Sequence, residues 1–306
     1  MTDELEPTLA QYIALFRGRG DAYGSWDGGC VREPLTDNTF RQHLFGDTFV
    51  GVYPCVYYKG ETKCVWGCTD IDYHGEVAGN PDEAWMIHDA LQAVGVPSWV
   101  EKTKRGYHVW VFATELLLAG DMRRMFLAAH QVTGLNPKEV NPKQEKLANG
   151  QLGNYVRLPY PDYGNGVRYM IDREGNKISL SEFVPEAIAT RVTPTKVAEI
   201  ADYYQPPKVA TITVGAPSHD MAQSARQLTP LGRAIFRDGP IEGRDRSTTL
   251  THLAHECRKA SLNPEDAMSI LEDADLRWGK YLIRGEVGRL ELEKLLVRAY
   301  GHTQSS

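Results

Sequence analysis

Lys63-Cys64-Val65-Trp66-Gly67-Cys68-Thr69-Asp70-Ile71-Asp72 is the stretch on which the fold turns. Aromatic, β-branched and small residues dominate it, which predicts a strand, and two carboxylates flank an isoleucine at its end. Successive side chains on a strand face opposite ways, so Asp70 and Asp72 share one face and Ile71 takes the other. Two neighbouring carboxylates repel unless a cation lies between them, and hard oxygen ligands suit Mg²⁺ or Mn²⁺. A plain strand end running into the polar turn Tyr73-His74-Gly75 accounts for the same residues. Asp-x-Asp alone leaves both readings open.

Working outward, Thr48–Tyr58 is a second β-type run, and the turn Lys59-Gly60-Glu61-Thr62 joins the two as an antiparallel hairpin. Asn80 with Pro81 behind it starts a helix whose apolar positions Ala84, Ile87, Leu91 and Val94 recur at helical spacing before Gly95. Ser98–Glu101 and Tyr107–Phe112 form a second hairpin across Lys102–Gly106. A helix over 120–133, a short extended run at Glu139-Val140 and a strand over 154–159 follow. Hairpin, helix, hairpin, helix, strand is an α+β pattern: a mainly antiparallel sheet backed by helices. An amphipathic stretch, Leu9–Phe16, precedes it. Residues 191–226 are rich in Pro, Thr, Ala and Ser and read as a linker with one helical stretch, Val197–Tyr203. Three amphipathic helices, 247–260, 264–275 and 290–300, form a small helical domain over 227–306.

The chain has 306 residues, 42% of them hydrophobic, enough for two packed domains. No run approaches the ~18 apolar residues of a membrane span, and the acidic start Met1–Glu6 is unlike a basic signal peptide, so a cytoplasmic protein without a membrane partner is expected. Five cysteines are too sparse for a disulfide framework; Cys64 and Cys68, with Cys55 or His74, are the only zinc-like spacing and read better as small buried strand residues. The net charge of −6 argues against a polyanion partner only until it is divided along the chain. Residues 1–95 hold 15 acidic and 6 basic side chains, whereas residues 96–160 hold 5 acidic and 9 basic ones.

That basic block opens with Lys102-Thr103-Lys104-Arg105-Gly106-Tyr107-His108. Amides of a Gly-containing turn, with Lys and Arg, cradle phosphate oxygens, and an imidazole adds one more hydrogen bond. A solvated basic turn beside a structural histidine explains the same residues. Together with Asp70 and Asp72, however, this segment resembles the archaeo-eukaryotic primase superfamily, whose order is a strand with D-h-D, a helix, and a hairpin with [ST]-x-x-G-x-H. The matching residues are Asp70, Asp72, Thr103, Gly106 and His108. Gly153-Asn154-Tyr155-Val156-Arg157-Leu158-Pro159 is similar to the G-N-x-h-R-L-P run of phage, plasmid and CRISPR-associated primase-polymerases, and Gly51–Pro54 is similar to a strand of that group.

The resemblance implies a catalytic domain over 1–190 on an RRM-like sheet, with two-metal nucleotidyl transfer by Mg²⁺ or Mn²⁺. Asp70, Asp72 and Glu139 would hold the ions, Glu139 matching the family's h-[DE]-h-x-P-K-Q pattern except that Lys138 replaces an apolar residue. Asp162 is the rival third acid. His108, with Thr103, Lys104, Arg105 and Gly106, would grip the triphosphate, and Lys143 and Arg157 would contact nucleotide or template. Single-stranded DNA template, primer and NTPs or dNTPs are the implied partners. No Walker motif is present, so a replicative helicase would be a separate chain, and a phage or mobile element in a prokaryotic host is the implied source. Gly243-Arg244 resembles the G-R opening of helical modules in phage primases, and Arg277-Trp278 suits single-stranded DNA. The competing class is a non-catalytic replication initiator or single-strand-binding protein. A metal nuclease fails because Glu101-Lys102-Thr103 has Thr where its motif needs Lys, and a D-x-D glycosyltransferase explains neither T-x-x-G-x-H nor R-L-P.

Overall fold

A computed structural model of the chain describes residues 5–25, 27–72, 80–137, 139–148, 150–206, 216–241 and 245–300. Two compact units form, Met1–Gln205 and Pro206–Ser306.

The first unit runs α1 (Leu5–Phe16), β1 (Tyr23–Gly24), β2 (Cys30–Val31), α2 (Asp37–Phe45), β3 (Gly51–Val52), β4 (Val56–Tyr58) and β5 (Glu61–Asp72). It continues with α3 (Pro81–Ala93), β6 (Trp99–Lys102), β7 (Gly106–Leu118), α4 (Ala119–Thr133), β8 (Glu139–Asn141), β9 (Val156–Arg157), β10 (Tyr169–Met170), α5 (Leu180–Ala189) and α6 (Pro194–Ala201). The main sheet has the order β10-β6-β7-β5-β4, and β8 also pairs with β5, beyond β4 along the strand. A smaller sheet has the order β2-β1-β3-β9. All the strand pairs are antiparallel, and the α+β expectation holds.

β5 is buried on both faces. Cys64 and Ile71 join the core with α3, α4 and α6, while Trp66 and Cys68 join the aromatic core with α1 and α5. Phe16 packs edge-on against Trp110 and Phe112, with ring centroids 5.3 and 5.1 Å apart, and so seals the second face. Because Cys64 and Cys68 lie in different cores, they do not form one metal site; burial pushes the Cys55 thiol up to about 12 and raises both others well above the ordinary thiol range. Gly67 is required where β5 passes under α4: a Cβ there would meet the Met122 side chain at 2.5 Å and the Asn141 carbonyl at 2.7 Å.

Three expectations change. The run Thr48–Tyr58 is not one strand: β3 enters the small sheet, β4 pairs with β5, and Tyr53-Pro54-Cys55 separates them, since Pro54 has no N–H to give a ladder. Lys59 and Gly60, both at positive φ, make the two-residue turn of the β4–β5 hairpin. The strand expected over 154–159 is limited to β9, because Pro159 has no N–H to pair and Tyr160 leaves the strand at positive φ. The segment read as a linker from 191 to 226 contains α6, which packs on α4 and β7, and Gln205 exchanges two hydrogen bonds with Gln131 of α4; the units divide at Gln205/Pro206. The helices α2 and α5, begun by capping boxes at Thr36 and Ser179, were hidden by their mixed composition.

The second unit contains α7 (Met221–Gln227), α8 (Pro230–Asp238), α9 (Arg246–Lys259), α10 (Pro264–Trp278) and α11 (Glu286–Tyr300) around one apolar core. No helix among the described residues is long and apolar enough to cross a membrane.

Two buried histidines make the first unit acid-sensitive. His43 Nε2 faces the Pro159 carbonyl at 3.0 Å and its Nδ1 faces the Val50 N–H at 3.2 Å, a pair of contacts that only the neutral ring satisfies. Burial brings the pKa values of His43 and His130 down to about 4. The unfolded chain then binds more protons between pH ~6.5 and ~4, so stability is complete above that window and declines through it as pH falls. Urea unfolding should lose about 2 kcal/mol per histidine by pH 5, and His43→Gln should flatten that slope. A slope unchanged by the substitution would show that His43 does not titrate this way.

Candidate active site

The strand registers bring four polar residues into one row across the main sheet. Glu101 of β6 stands opposite His108 of β7, His108 opposite Asp70 of β5, and Asp70 opposite Glu139 of β8. These side chains belong to strands whose intervening residues Val100, Val109, Ile71 and Val140 enter the core under α3 and α4. Period-two alternation therefore turns the whole row to the other face. There a cleft of about 440 Å³ opens, lined by Asp70, Glu139 and Asn141 together with Arg105, Arg157 and Arg168.

β8 is short, and contacts on both sides hold it in register. Arg123 of α4 donates to the carbonyls of Val140, at 2.6 Å, and Pro142, at 3.3 Å. Thr69 Oγ1 faces the Glu139 carbonyl at 3.3 Å and His130 Nε2 at 2.7 Å. Glu139 itself is half-exposed, with Lys143 Nζ at 3.4 Å from one carboxylate oxygen and Asn141 Nδ2 at 3.4 Å from the other. An exposed pair such as Lys143–Glu139 contributes ~0–1 kcal/mol, so Lys143 is readily displaced.

His108 is held from behind. Its Nδ1 lies 3.0 Å from Glu101 Oε2, and its Nε2 lies 3.8 Å from Asp70 Oδ1. Glu101 is fully buried, also accepts the Trp110 indole N–H at 2.7 Å, and pairs with Arg168 at 2.8 Å. Burial opposes its ionised form; Arg168, His108 and the donated hydrogen bonds outweigh this and keep the carboxyl below the usual carboxylate range.

The turn between β6 and β7 is organised by Thr103. Its hydroxyl accepts the N–H of Gly106 at 3.0 Å and of Arg105 at 3.3 Å, and its own N–H donates to the Gly106 carbonyl at 2.8 Å. Thr103 and Gly106 shape this turn, while Lys104 and Arg105 line a second cleft of about 560 Å³ that shares Arg105, Arg157 and Arg168 with the first. Arg157 stands on β9 of the small sheet, opposite Gly51. Beside it the Tyr155 ring lies flat against Gly24 and Gly51, where any Cβ would enter the ring, and meets Tyr53 edge-on at 5.5 Å.

Of the residues expected at the site, Asp70, His108, Glu139, Arg105 and Arg157 line one cleft; Lys143 approaches through Glu139, and Lys104 lies in the adjoining one. Asp162 lies against Gly46 and does not line the cleft. Asp72 ends β5 opposite Gly106; its side chain, Tyr73-His74 and Gly243-Arg244 lie outside the described residues. Glu101, Arg168, Asn141, Tyr53 and Tyr155 were not singled out. Glu101 was findable, being an acid at the same strand parity as Trp99; Arg168 was not, since it reaches the row only through the β10–β6 pairing.

The carboxylates and the amide of the cleft suit a hard divalent cation. Asn141 Oδ1, in a residue only 4% exposed, has no hydrogen-bond partner among the described residues and lies beside Glu139 in the cleft lining. Among the described residues no group of three His, Cys, Asp or Glu side chains forms a metal cluster.

Residues 30–168 match the family described as the archaeo-eukaryotic primase domain of the TOTE conflict system. A crystal structure of primase RepB′ aligns over 96% of this chain and 94% of its own at 11% identity and a TM-score of 0.29. No curated protein matches. The span matched by the family contains β2 to β9 and with them the whole row from Glu101 to Glu139. Residues 30–168, somewhat under half of the chain, are thus similar to archaeo-eukaryotic primase domains, and the match supports a primase-like nucleotidyltransferase.

Proposed function

We propose that the chain is a DNA primase-polymerase that joins nucleotides on a single-stranded DNA template, making primers, extending them, or both. The observation that carries this reading is the placement of Asp70 directly opposite Glu139, in a cleft whose other lining includes three arginines. Acids and cations in one cleft are what a metal–triphosphate complex requires; a nucleic-acid platform alone has no use for the acids.

In this reading Asp70, Glu139 and Asp72 hold the divalent ions, with Asn141 Oδ1 as a further oxygen. Bound there, Mg²⁺ or Mn²⁺ supplies a lowered pKa for the attacking 3′-hydroxyl and charge neutralisation for the leaving pyrophosphate. The chain's own residues supply the positioning. His108 Nε2 and Arg105, Arg157 and Arg168 bind the triphosphate oxygens, the arginines by forked hydrogen bonds that a point charge does not provide. Lys104 extends this basic wall along the second cleft. Tyr155 offers its ring to a base or sugar, and its closeness to the glycines of β1 and β3, with Tyr53 edge-on beside it, keeps it rigid. The helical unit, with Arg277 stacked 4.5 Å from the Phe236 ring, is a candidate single-strand-binding module in the same protein.

Asp70→Asn and Glu139→Gln should each lower incorporation of labelled nucleotide on a primed single-stranded template by about 10³-fold, with melting temperatures near wild type. Incorporation retained in both would overturn the reading; wild-type protein that binds the template and incorporates nothing would be a non-catalytic binder. Arg157→Ala should raise the nucleotide KM by about tenfold at a fixed template concentration, measured in primer extension.

A further inference from the structure

The first cleft combines acids with arginines, whereas the second, of about 560 Å³, is lined by four cations, Lys104, Arg105, Arg157 and Arg168, and by no carboxylate among the described residues. We propose that the second cleft binds the single-stranded template ahead of the incoming nucleotide, through its phosphates and a base. The inference rests on the first cleft being the catalytic site.

Without acids a cleft is a poor host for a hard metal ion, so its cations are left to meet phosphate oxygens directly. Lys104 is exposed and forms no ion pair among the described residues. Phe49 and Val167 give the same cleft an apolar side, and Val167 is 54% exposed. Cations beside an aromatic ring suit a single strand, whose backbone is charged and whose bases present flat apolar faces.

The wall of this cleft is rigid. Between Arg157 and Arg168 the chain passes through Tyr160, Asp162 and Tyr163, three non-glycine residues with left-handed backbone. The Tyr160 N–H donates to the Arg168 carbonyl at 2.9 Å, and Lys177 Nζ donates to the Gly164 carbonyl at 2.7 Å, so the strained turn is pinned at both ends. Such strain persists where the surrounding structure holds it, and it gathers at ligand sites.

Position selects the strand. Arg105, Arg157 and Arg168 line both clefts and so separate Asp70 and Glu139 from Lys104, Phe49 and Val167. In an in-line displacement the attacking 3′-hydroxyl and the leaving pyrophosphate lie on opposite sides of the reacting phosphorus. With the pyrophosphate held by the shared arginines, the second cleft falls on the side away from the primer, where the strand present is template not yet copied.

The test places opposite charges at Val167, which lines the second cleft and not the first. For a fluorescent oligodeoxythymidylate bound to the full chain without nucleotide or metal, Val167→Glu should raise the Kd about fivefold and Val167→Lys should lower it about threefold. Lys104→Gln should reduce the slope of log K against log salt by about 0.7. The same charges placed at Val132, 81% exposed on α4 behind the main sheet, should leave the Kd unchanged. Equal Kd values for the two Val167 variants would overturn the proposal, as would equal shifts at Val132. In primer extension, kcat/KM should be higher for a primed template with a long 5′ overhang than for one with a single-nucleotide overhang, and Val167→Glu should lose most of that difference. A difference unaltered by Val167→Glu would overturn the placement ahead of the nucleotide. The expected Kd shifts in a protein whose wild type incorporates no nucleotide would leave the strand site standing and overturn the catalytic reading instead.

Discussion

The antiparallel pairing of β8 with β5 is the constraint on which the site depends. It sets Glu139 across from Asp70, and the pairings of β5 with β7 and of β7 with β6 extend that contact to His108 and Glu101. Because side chains alternate along each strand, a slip of one residue in any of the three ladders would move an acid or the histidine to the buried face under α4. The register is correspondingly over-determined. Gly67 lets β5 approach α4, Thr69 and His130 tie β5 to the Glu139 backbone, and Arg123 clamps the carbonyls of β8 from the helix behind it.

Burial sorts the charges of the row into two kinds. Glu101 lies at its dry end, with Arg168, Trp110 and His108 as partners, and every one of its contacts is made in a low-dielectric setting where breaking it leaves an uncompensated charge. Glu139 lies at its wet end, with the weak contacts of Lys143 and Asn141 to give up among the described residues. In the proposed reading the dry end holds its geometry and the wet end exchanges partners for a cation. A site that must be rigid in position and exchangeable in ligand has use for both.

Charge distribution along the chain follows the same division. The acid-rich first third contains Asp70 and Asp72, and the basic residues of 96–160 supply Lys104, Arg105 and Arg157 to the two adjoining clefts. Arg168 lies just outside that block, so charge counting alone undervalued the basic wall. Whole-chain charge was uninformative about the partner because the two halves of the site carry opposite sign and cancel in the sum.

Local patterning determined a good deal. The strand character of β5, the face shared by its alternating positions, the β6–β7 hairpin with its basic turn, and the helices α3 and α4 all follow from period and capping within about fifteen residues of sequence. The T-x-x-G-x-H spacing also placed His108 two residues beyond the turn glycine, where the ladder holds it opposite Asp70. What tertiary structure alone decided is which distant segments meet. Glu139 rather than Asp162 faces Asp70, because β8 fills the edge of β5 that β4 leaves open. Pro54 divides one apparent strand between two sheets, and β10 carries Arg168 to Glu101. These outcomes depend on pairing between residues dozens of positions apart, where the free energy lies in register and burial and no local pattern records the partner.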